Sequence, residues 1–275
     1  MKSYLRVFLT LARNSLVRDM TFRANFIIDL LTWMAWMLMN LVFYILIFRF
    51  TPEIGVGTGW TQYPFFIFIA TSLLVNSIVE MFFMMNMDEL SELIRTGALD
   101  FALLKPIDTQ FLVSLTKTDW SAIGNFFLGL CLLGYSLLKM GYVPQPWEMA
   151  LYPVYIVCGV AIYYSLMVAM AATSVWLGRN LTLLDFWFSV TMFSRYPMEI
   201  YQGRWGTPLR RAFTFIVPIL VVVNVPARLL IRSLSPQSFQ DWLLPIFTIL
   251  ITFVSLGVAR LIFKLALWSY RSASS

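Results

Sequence analysis

The amino-acid sequence predicts an all-α membrane protein with six transmembrane helices. Of its 275 residues, 60% are hydrophobic and only 12% are charged. Soluble domains are about 45–50% apolar and about 25% charged, so lipid must solvate many of these side chains. Several apolar runs reach the roughly 20 residues that a helix needs to cross the hydrocarbon core. Trp60, Trp120, Trp147 and Trp242 stand at the ends of these runs, as aromatic belts do.

Residues 1–23 are predicted to form an interfacial amphipathic helix ahead of a single transmembrane domain, residues 24–275. On a helical projection the apolar side chains share one arc: Tyr4, Leu5, Phe8, Leu9, Leu11, Ala12 and Leu16. The polar side chains share the opposite arc: Lys2, Ser3, Arg6, Thr10, Arg13 and Asn14. This pattern is typical of a helix that lies on the membrane surface, although a disordered basic tail is the alternative.

The spans follow from the lengths of the apolar runs. They are expected at about 24–48, 63–87, 120–138, 149–177, 181–200 and 242–268. The fifth is interrupted by Arg195 and Pro197. The first run has no cleavage site of the kind that ends a signal peptide, so we expect it to remain in the membrane.

The segment 212–231 is long enough to span, but Pro218 and Pro226 interrupt it. Proline removes a backbone donor and clashes with the preceding turn, so two short helical pieces are favoured over one straight helix. If 212–231 is re-entrant and both termini are cytoplasmic, most lysines and arginines lie on the cytoplasmic side, as the positive-inside rule predicts. A seven-span arrangement also satisfies this charge rule, and the prolines favour the re-entrant one.

The composition also limits the chemistry of the chain. It contains no histidine, the commonest general base and metal ligand, and no GxxxxGK[ST] phosphate-binding loop. We therefore expect no catalytic site, no metal site and no bound cofactor. The net charge of +6 comes from residues beside apolar runs, which indicates membrane orientation and lipid contact rather than nucleic-acid binding. Cys131 and Cys158 lie within apolar runs and are expected to be free thiols.

The longest polar connection, residues 88–118, is predicted to be a compact cytoplasmic element. Leu90, Leu93 and Ile94 form an apolar stripe, and the charged residues beside it are Asp88, Glu89, Glu92 and Arg95. Gly97 is placed to end that helix, and Asp108 is placed to cap the next one after Pro106. The segment is interpreted as a docking element for a cytoplasmic partner. A solvated helix lying on lipid is the alternative.

Other charged residues are candidates because ionisable groups inside spans are costly. Asp29, Glu80 and Asp185 lie near the predicted cytoplasmic boundary, and Arg23 is a possible partner of Asp29. Arg195 and Glu199 are four residues apart and are expected to pair on a helix. Together with Arg204, Arg210 and Arg211 they form a predicted outer charged rim. Such a rim would attract an anionic substrate or lipid headgroups, or would simply be solvated.

Three segments resemble the membrane subunit of an ABC exporter, an ABC-2-type permease. They are LIRTGALDFALLKPID (93–108), SRYPMEIY (194–201) and FIVPILVVVNVPARLL (215–230). The first is similar to a "G-x-L-D-x-x-L-x-[KR]-P" stretch in a bacterial branch of these permeases. Together with the predicted spans and the basic first helix, the resemblance covers nearly the whole chain.

The resemblance implies a cytoplasmic coupling helix between spans two and three, and a re-entrant helical hairpin outside, between spans five and six. The coupling residues it implies are Glu89, Leu90, Glu92, Leu93, Ile94 and Arg95, followed by Leu103, Lys105 and Pro106. Pro218 and Pro226 would shape the hairpin. It also implies a second permease subunit, identical or related, and separate ATP-binding subunits that carry ATP and Mg²⁺, in the bacterial cytoplasmic membrane.

Two other classes remain open from the residues alone. An ion-coupled secondary transporter often has inverted repeats, broken helices and charges at the membrane midplane. Only the broken stretch is evident in this sequence. A membrane-embedded enzyme would need convergent acidic groups or histidines, which the spans lack. The sequence does not identify the transported substrate.

Overall fold

The structure is a computed structural model that describes residues 2–55, 57–177, 187–231 and 238–270. Its helices are α1 (Lys2–Thr21), α2 (Arg23–Phe50), α3 (Gln62–Thr96), α4 (Leu99–Leu103), α5 (Thr109–Leu115), α6 (Trp120–Met140), α7 (Pro146–Trp176), α8 (Gly203–Ile216), α9 (Leu220–Leu229) and α10 (Phe239–Ser269). Within these ranges the only β-type pairing is one isolated bridge, Glu53 to Thr61. The all-α prediction is confirmed.

Five helices are long and apolar enough to cross a membrane, namely α2, α3, α6, α7 and α10. α3 runs well beyond the predicted end of span two, to Thr96, so the first part of the 88–118 segment continues the span. The predicted fifth span, 181–200, begins in residues 178–186, which lie outside the described residues. From 187 to 195 it is helical, and Tyr196 is extended before Pro197. The predicted interruption is therefore present.

The stretch around Pro218 is broken, as the prolines predicted. α8 and α9 meet at 89° across residues 217–219. Val217 is extended, with φ −115° and ψ 90°, because the residue before a proline is disfavoured in the helical region. Pro226 does not end a helix, since it lies inside α9. Counted as one span, the bent pair would bring the number of candidate spans to six.

α9 lies at the centre of the bundle and is buried along nearly its whole length, packed against α3, α7 and α10. Close approach is possible because α7 has a glycine where α9 passes. A Cβ on Gly159 would lie 3.0 Å from the Val222 carbonyl oxygen. On the other side of α3, a Cβ on Gly129 of α6 would lie 3.1 Å from Leu73. Small residues at such crossings are typical of helix packing in membranes.

Different segments of the chain lie at the two ends of the bundle. α1 packs on the end that holds α5, where the Tyr4 and Phe111 rings are 4.9 Å apart. Ser15 Oγ accepts a hydrogen bond from the Thr118 N–H at 3.1 Å. We call this the N-terminal end, and α4, α5 and the last turns of α10 lie there too. Residues 51–55, 57–61 and 198–203 share the opposite end, where Trp60 Nε1 donates to Glu199 at 2.8 Å.

The contact between Gly159 and α9 generates a stability prediction. Gly159→Ala should lower the free energy of unfolding by about 1–3 kcal/mol, because the added methyl meets backbone that cannot rotate away. The measurement is thermal unfolding of the purified chain in detergent. Gly257→Ala on α10 is the matched control: nothing lies within 4 Å of its Cβ position, so it should be neutral or slightly stabilising. Equal thermal unfolding midpoints for Gly159→Ala and Gly257→Ala would contradict the packing described.

Candidate functional site

The connection between α3 and α6 is built by local signals that the sequence predicted. Gly97 ends α3 in the left-handed conformation, φ 75°, which glycine adopts without steric cost. Asp108 caps α5, with its Oδ1 accepting from the Phe111 N–H at 2.9 Å. Between these two caps lie the short helix α4 and the exposed residues Lys105 and Pro106. The connection is therefore an ordered element.

The predicted docking stripe on α3 faces the chain's own core. Leu90 is 1% exposed, and Leu93 and Ile94 are half-buried against the same core cluster. Leu90 is therefore not available on the surface of this chain, because the end of α3 packs its apolar face on α7 and α5. Glu92 and Arg95 form a pair on the outer face. Glu89 pairs with Lys117 at 2.8 Å, which ties α3 to the connection between α5 and α6.

The exposed apolar side chains of this connection lie further along, on α4 and at the residue that follows it. Phe101 is 73% exposed and Leu104 is 81% exposed. With Leu103, Lys105 and Pro106 they form a surface that we call the α4 tip. The sequence analysis missed Phe101 and Leu104. Phe101 and Leu104 are three residues apart, so they lie on one side of the helical turn, opposite the buried Leu99. This spacing was the signal available in the sequence, because it makes the segment apolar on both faces.

An ion pair fastens the element to the last span. Arg260 of α10 makes two charge-assisted hydrogen bonds to Asp108, one of them 3.1 Å from Nη1 to Oδ1. The same Nη1 donates to Gln110 Oε1 at 2.8 Å. Gln110 Nε2 and Ser114 Oγ in turn lie 3.0 and 2.9 Å from the Tyr164 hydroxyl of α7. α5 is thereby held by two spans, and we call this network the α5 clamp.

The clamp affects the ionisation of its carboxylate. The hydrogen bond from Arg260 is the main cause that holds the pKa of Asp108 below its usual range, and the Phe111 N–H acts in the same direction. Bidentate arginine–carboxylate pairs are among the stronger and more directional polar contacts. Because the pair is partly open to solvent, screening limits its contribution.

The predicted outer rim does not assemble as expected. Arg195 and Glu199 do not pair, because Tyr196 is extended and the four-residue helical spacing is lost. Glu199 instead pairs with Arg228 of α9 at 3.2 Å and accepts from Trp60. The remaining rim residues all lie on α8: Arg204 and Arg211 are exposed and Arg210 is half-buried.

Arg195 lies instead in a groove between α2 and α3, where it shares the lining with Asn76 and Glu80. Asp29 lines a separate hollow near Arg18, and no ion pair joins it to Arg23. Asp185 lies outside the described residues. Cys131 is exposed and Cys158 is buried, and both are free. The groove was missed because its lining comes from α2, α3, Asn125 of α6 and Arg195, which only tertiary packing brings together.

The chain was compared with known protein families, curated proteins and solved structures. The sequence model of the ABC-2 family transporter proteins matches residues 34–274. Nothing among the curated proteins or the solved structures matches the chain. The match extends from α2 through α10 and includes the α4 tip and the α5 clamp.

The α5 clamp generates a second prediction. Asp108→Asn keeps a capping oxygen but removes the charge, so the free energy of unfolding at neutral pH should fall by about 1–2 kcal/mol. Since the folded-state pKa of Asp108 is lowered, its contribution is present above the unfolded pKa and is lost as the pH falls through the folded value. The difference between wild type and Asp108→Asn should therefore shrink below about pH 4.

Thermal unfolding of both proteins in detergent, from neutral pH to about pH 3, measures this difference. Glu92→Gln breaks an exposed pair and is the control, with an expected change of less than about 1 kcal/mol. A constant gap between wild type and Asp108→Asn at every pH would show that the clamp is not electrostatic.

Proposed function

Because the chain belongs to the ABC-2 family transporter proteins, we propose that it is the permease subunit of an ATP-driven exporter. In this proposal ATP and Mg²⁺ bind to separate ATP-binding subunits. The sequence supports the division of labour, since it has no phosphate-binding loop of the GxxxxGK[ST] type. The chain supplies membrane helices and a surface on which the partner acts.

The observation that carries the proposal is the exposed apolar α4 tip at the N-terminal end of the bundle. Phe101 and Leu104 lie beyond the end of α3 and are uncovered by this chain. A few large apolar side chains that fill pockets of a partner commonly dominate an interface. We assign the tip as the contact with the ATP-binding subunit, in place of the Leu90 stripe, with Glu92 and Arg95 at its rim.

Rigid connections from the tip to the spans make transmission possible. α3 is one helix from Gln62 to Thr96 and turns directly into α4 at Gly97. The α5 clamp joins the other side of the tip to α10 through Arg260 and to α7 through Tyr164. A displacement of the tip by the partner would therefore act on three spans at once.

The remaining parts of the proposal concern assembly and orientation. α2 has no buried residue, so its surface is free to contact lipid and a second permease subunit, identical or related. The N-terminal end would be cytoplasmic, with α1 lying at the membrane surface and the membrane being the bacterial cytoplasmic one. The bent pair α8–α9 would be the re-entrant hairpin on the outer side.

The partner contact is tested by Leu104→Asp. A charge in a buried apolar contact should weaken co-purification of the ATP-binding subunit by about tenfold or more, and ATPase stimulation with it. Val143→Asp is the matched control, since Val143 is 84% exposed in the connection at the opposite end of the bundle. Leu90→Ala should instead lower thermal stability, because Leu90 is a core residue.

Partner binding that is unchanged in Leu104→Asp and in Phe101→Asp would reject the tip as the docking surface. ATPase activity of the rigorously purified chain alone would reject the division of labour between subunits. Transport that runs on an ion gradient without any ATP-binding subunit would favour the secondary transporter.

Orientation is tested by cysteine labelling on a background of Cys131→Ser and Cys158→Ala. A membrane-impermeant reagent applied outside should label Val143→Cys and Trp205→Cys but not Leu104→Cys, because their side chains are highly exposed at opposite ends of the bundle. Permeabilised cells should label all three. Labelling of Leu104→Cys from outside in intact cells would invert the proposed orientation.

A further inference from the structure

A groove runs along the side of the bundle between α2 and α3, with a volume of about 190 Å³. α2 touches the bundle at both of its ends. Leu30 and Met34 meet α6 at Gly124, and the Tyr44 ring lies 4.9 Å from the Phe65 ring of α3. The groove lies between these two contacts, and α6 forms its floor through Asn125. The groove opens on the side of the bundle, where Trp33 and Trp36 at its edge are exposed.

Polar groups gather at one part of this groove. Glu80, Asn76 and Arg195 line it, and the same three residues line an adjoining hollow on the side of Trp187. Glu80 has an acidic and Arg195 a basic side chain, but they form no ion pair with each other in the described part of the chain. Charged groups placed inside spans are costly and mark binding sites or pathways.

The backbone of α3 changes its geometry at this point. Residues Glu80–Met84 form a π-helical segment inside an otherwise regular α-helix. Such segments are rare and are frequently found at functional sites. This π-helical segment begins at Glu80, the acidic residue that lines the groove.

A buried acceptor in the floor lacks a donor. Asn125 is 7% exposed, and its Oδ1 has no hydrogen-bond partner among the described residues. A buried polar atom without a partner is unfavourable, so a ligand that brings an N–H or O–H donor would be stabilised there. A primary ammonium group supplies three donors and a positive charge, which suits Asn125 and Glu80 together. A quaternary ammonium supplies no donor at all.

The rest of the groove is apolar and aromatic. Trp33, Trp36, Met37 and Leu41 of α2 face Phe68 and Leu73 of α3. Acyl chains are suited to this surface, and the sideways opening admits them from the membrane. Arg195 is exposed at the polar part, where its guanidinium can bind a phosphate group.

We propose that the groove binds a phospholipid whose headgroup carries a primary amine. The ammonium lies at Glu80 and Asn125, the phosphate lies at Arg195, and the acyl chains lie along Trp33 and Trp36. The site uses residues of this chain alone. It therefore does not depend on the ATP-driven function, and it holds whether the lipid is carried or stays bound.

Native mass spectrometry of the delipidated full chain tests the headgroup. The probes are phosphatidylethanolamine, phosphatidylcholine and phosphatidylglycerol with identical acyl chains. Phosphatidylethanolamine should bind about tenfold tighter than phosphatidylcholine, since charge-assisted hydrogen bonds are available only to the primary amine. Equal binding of these two lipids would overturn the proposal.

Variants then locate the site. Glu80→Gln and Asn125→Leu should remove the preference for phosphatidylethanolamine, whereas Arg195→Gln should weaken all three lipids. Glu92→Gln and Arg95→Gln are matched controls outside the groove and should bind as wild type does. If Glu80→Gln kept the full preference, or if the controls lost it equally, the amine would lie elsewhere.

A second measurement does not rely on removing polar groups. Phosphatidylethanolamine brominated on its acyl chains should quench tryptophan fluorescence in wild type. The fraction quenched should fall in Trp33→Phe/Trp36→Phe, whose conservative changes preserve an aromatic wall. An unchanged quenched fraction in this double variant would place the acyl chains outside the groove.

Discussion

The burial of α9 in the middle of the bundle is the constraint on which the rest of the structure depends. A short helix enclosed by other helices must satisfy its backbone groups within protein, because an unpaired buried backbone group costs about as much free energy as a lost hydrogen bond. Asn224, which is fully buried, donates to the Leu220 carbonyl at 2.7 Å and accepts from the Met198 N–H at 2.9 Å. One turn later Arg228 pairs with Glu199. α9 thus fixes the chain that leads into it as well as the helices around it.

The sequence could predict much of this architecture because much of it follows from local rules. Run length and hydropathy located the five long apolar helices, Pro218 located the break, and Gly97 and Asp108 were identified as helix ends. Each of these features depends on the chemistry of a few neighbouring residues. Membrane proteins show such signals strongly, since a solvent without hydrogen bonds leaves few alternatives to a helix.

The functional surfaces were less predictable because they depend on tertiary packing. The Leu90 stripe has the same pattern whether it covers the chain's own core or another protein, and only the positions of α5 and α7 decide between them. Asp108 and Arg260 are 152 residues apart, so no local pattern joins them. The Arg195–Glu199 pair assumed a continuous helix, which the extended Tyr196 removes. Arg195 was consequently placed on a rim when it lines a groove.

The sideways position of α2 has a consequence for how the chain is made. Helices enter the membrane in the order in which the ribosome delivers them, so α2 and α3 are present before α6. At that stage Leu30 and Met34 lack their contact with Gly124, and the polar part of the groove lacks Asn125, because α6 has not yet been synthesised. The arrival of α6 closes the space around whatever already occupies it. Lipids of the membrane can therefore reach the polar groups on α3 before α6 covers them.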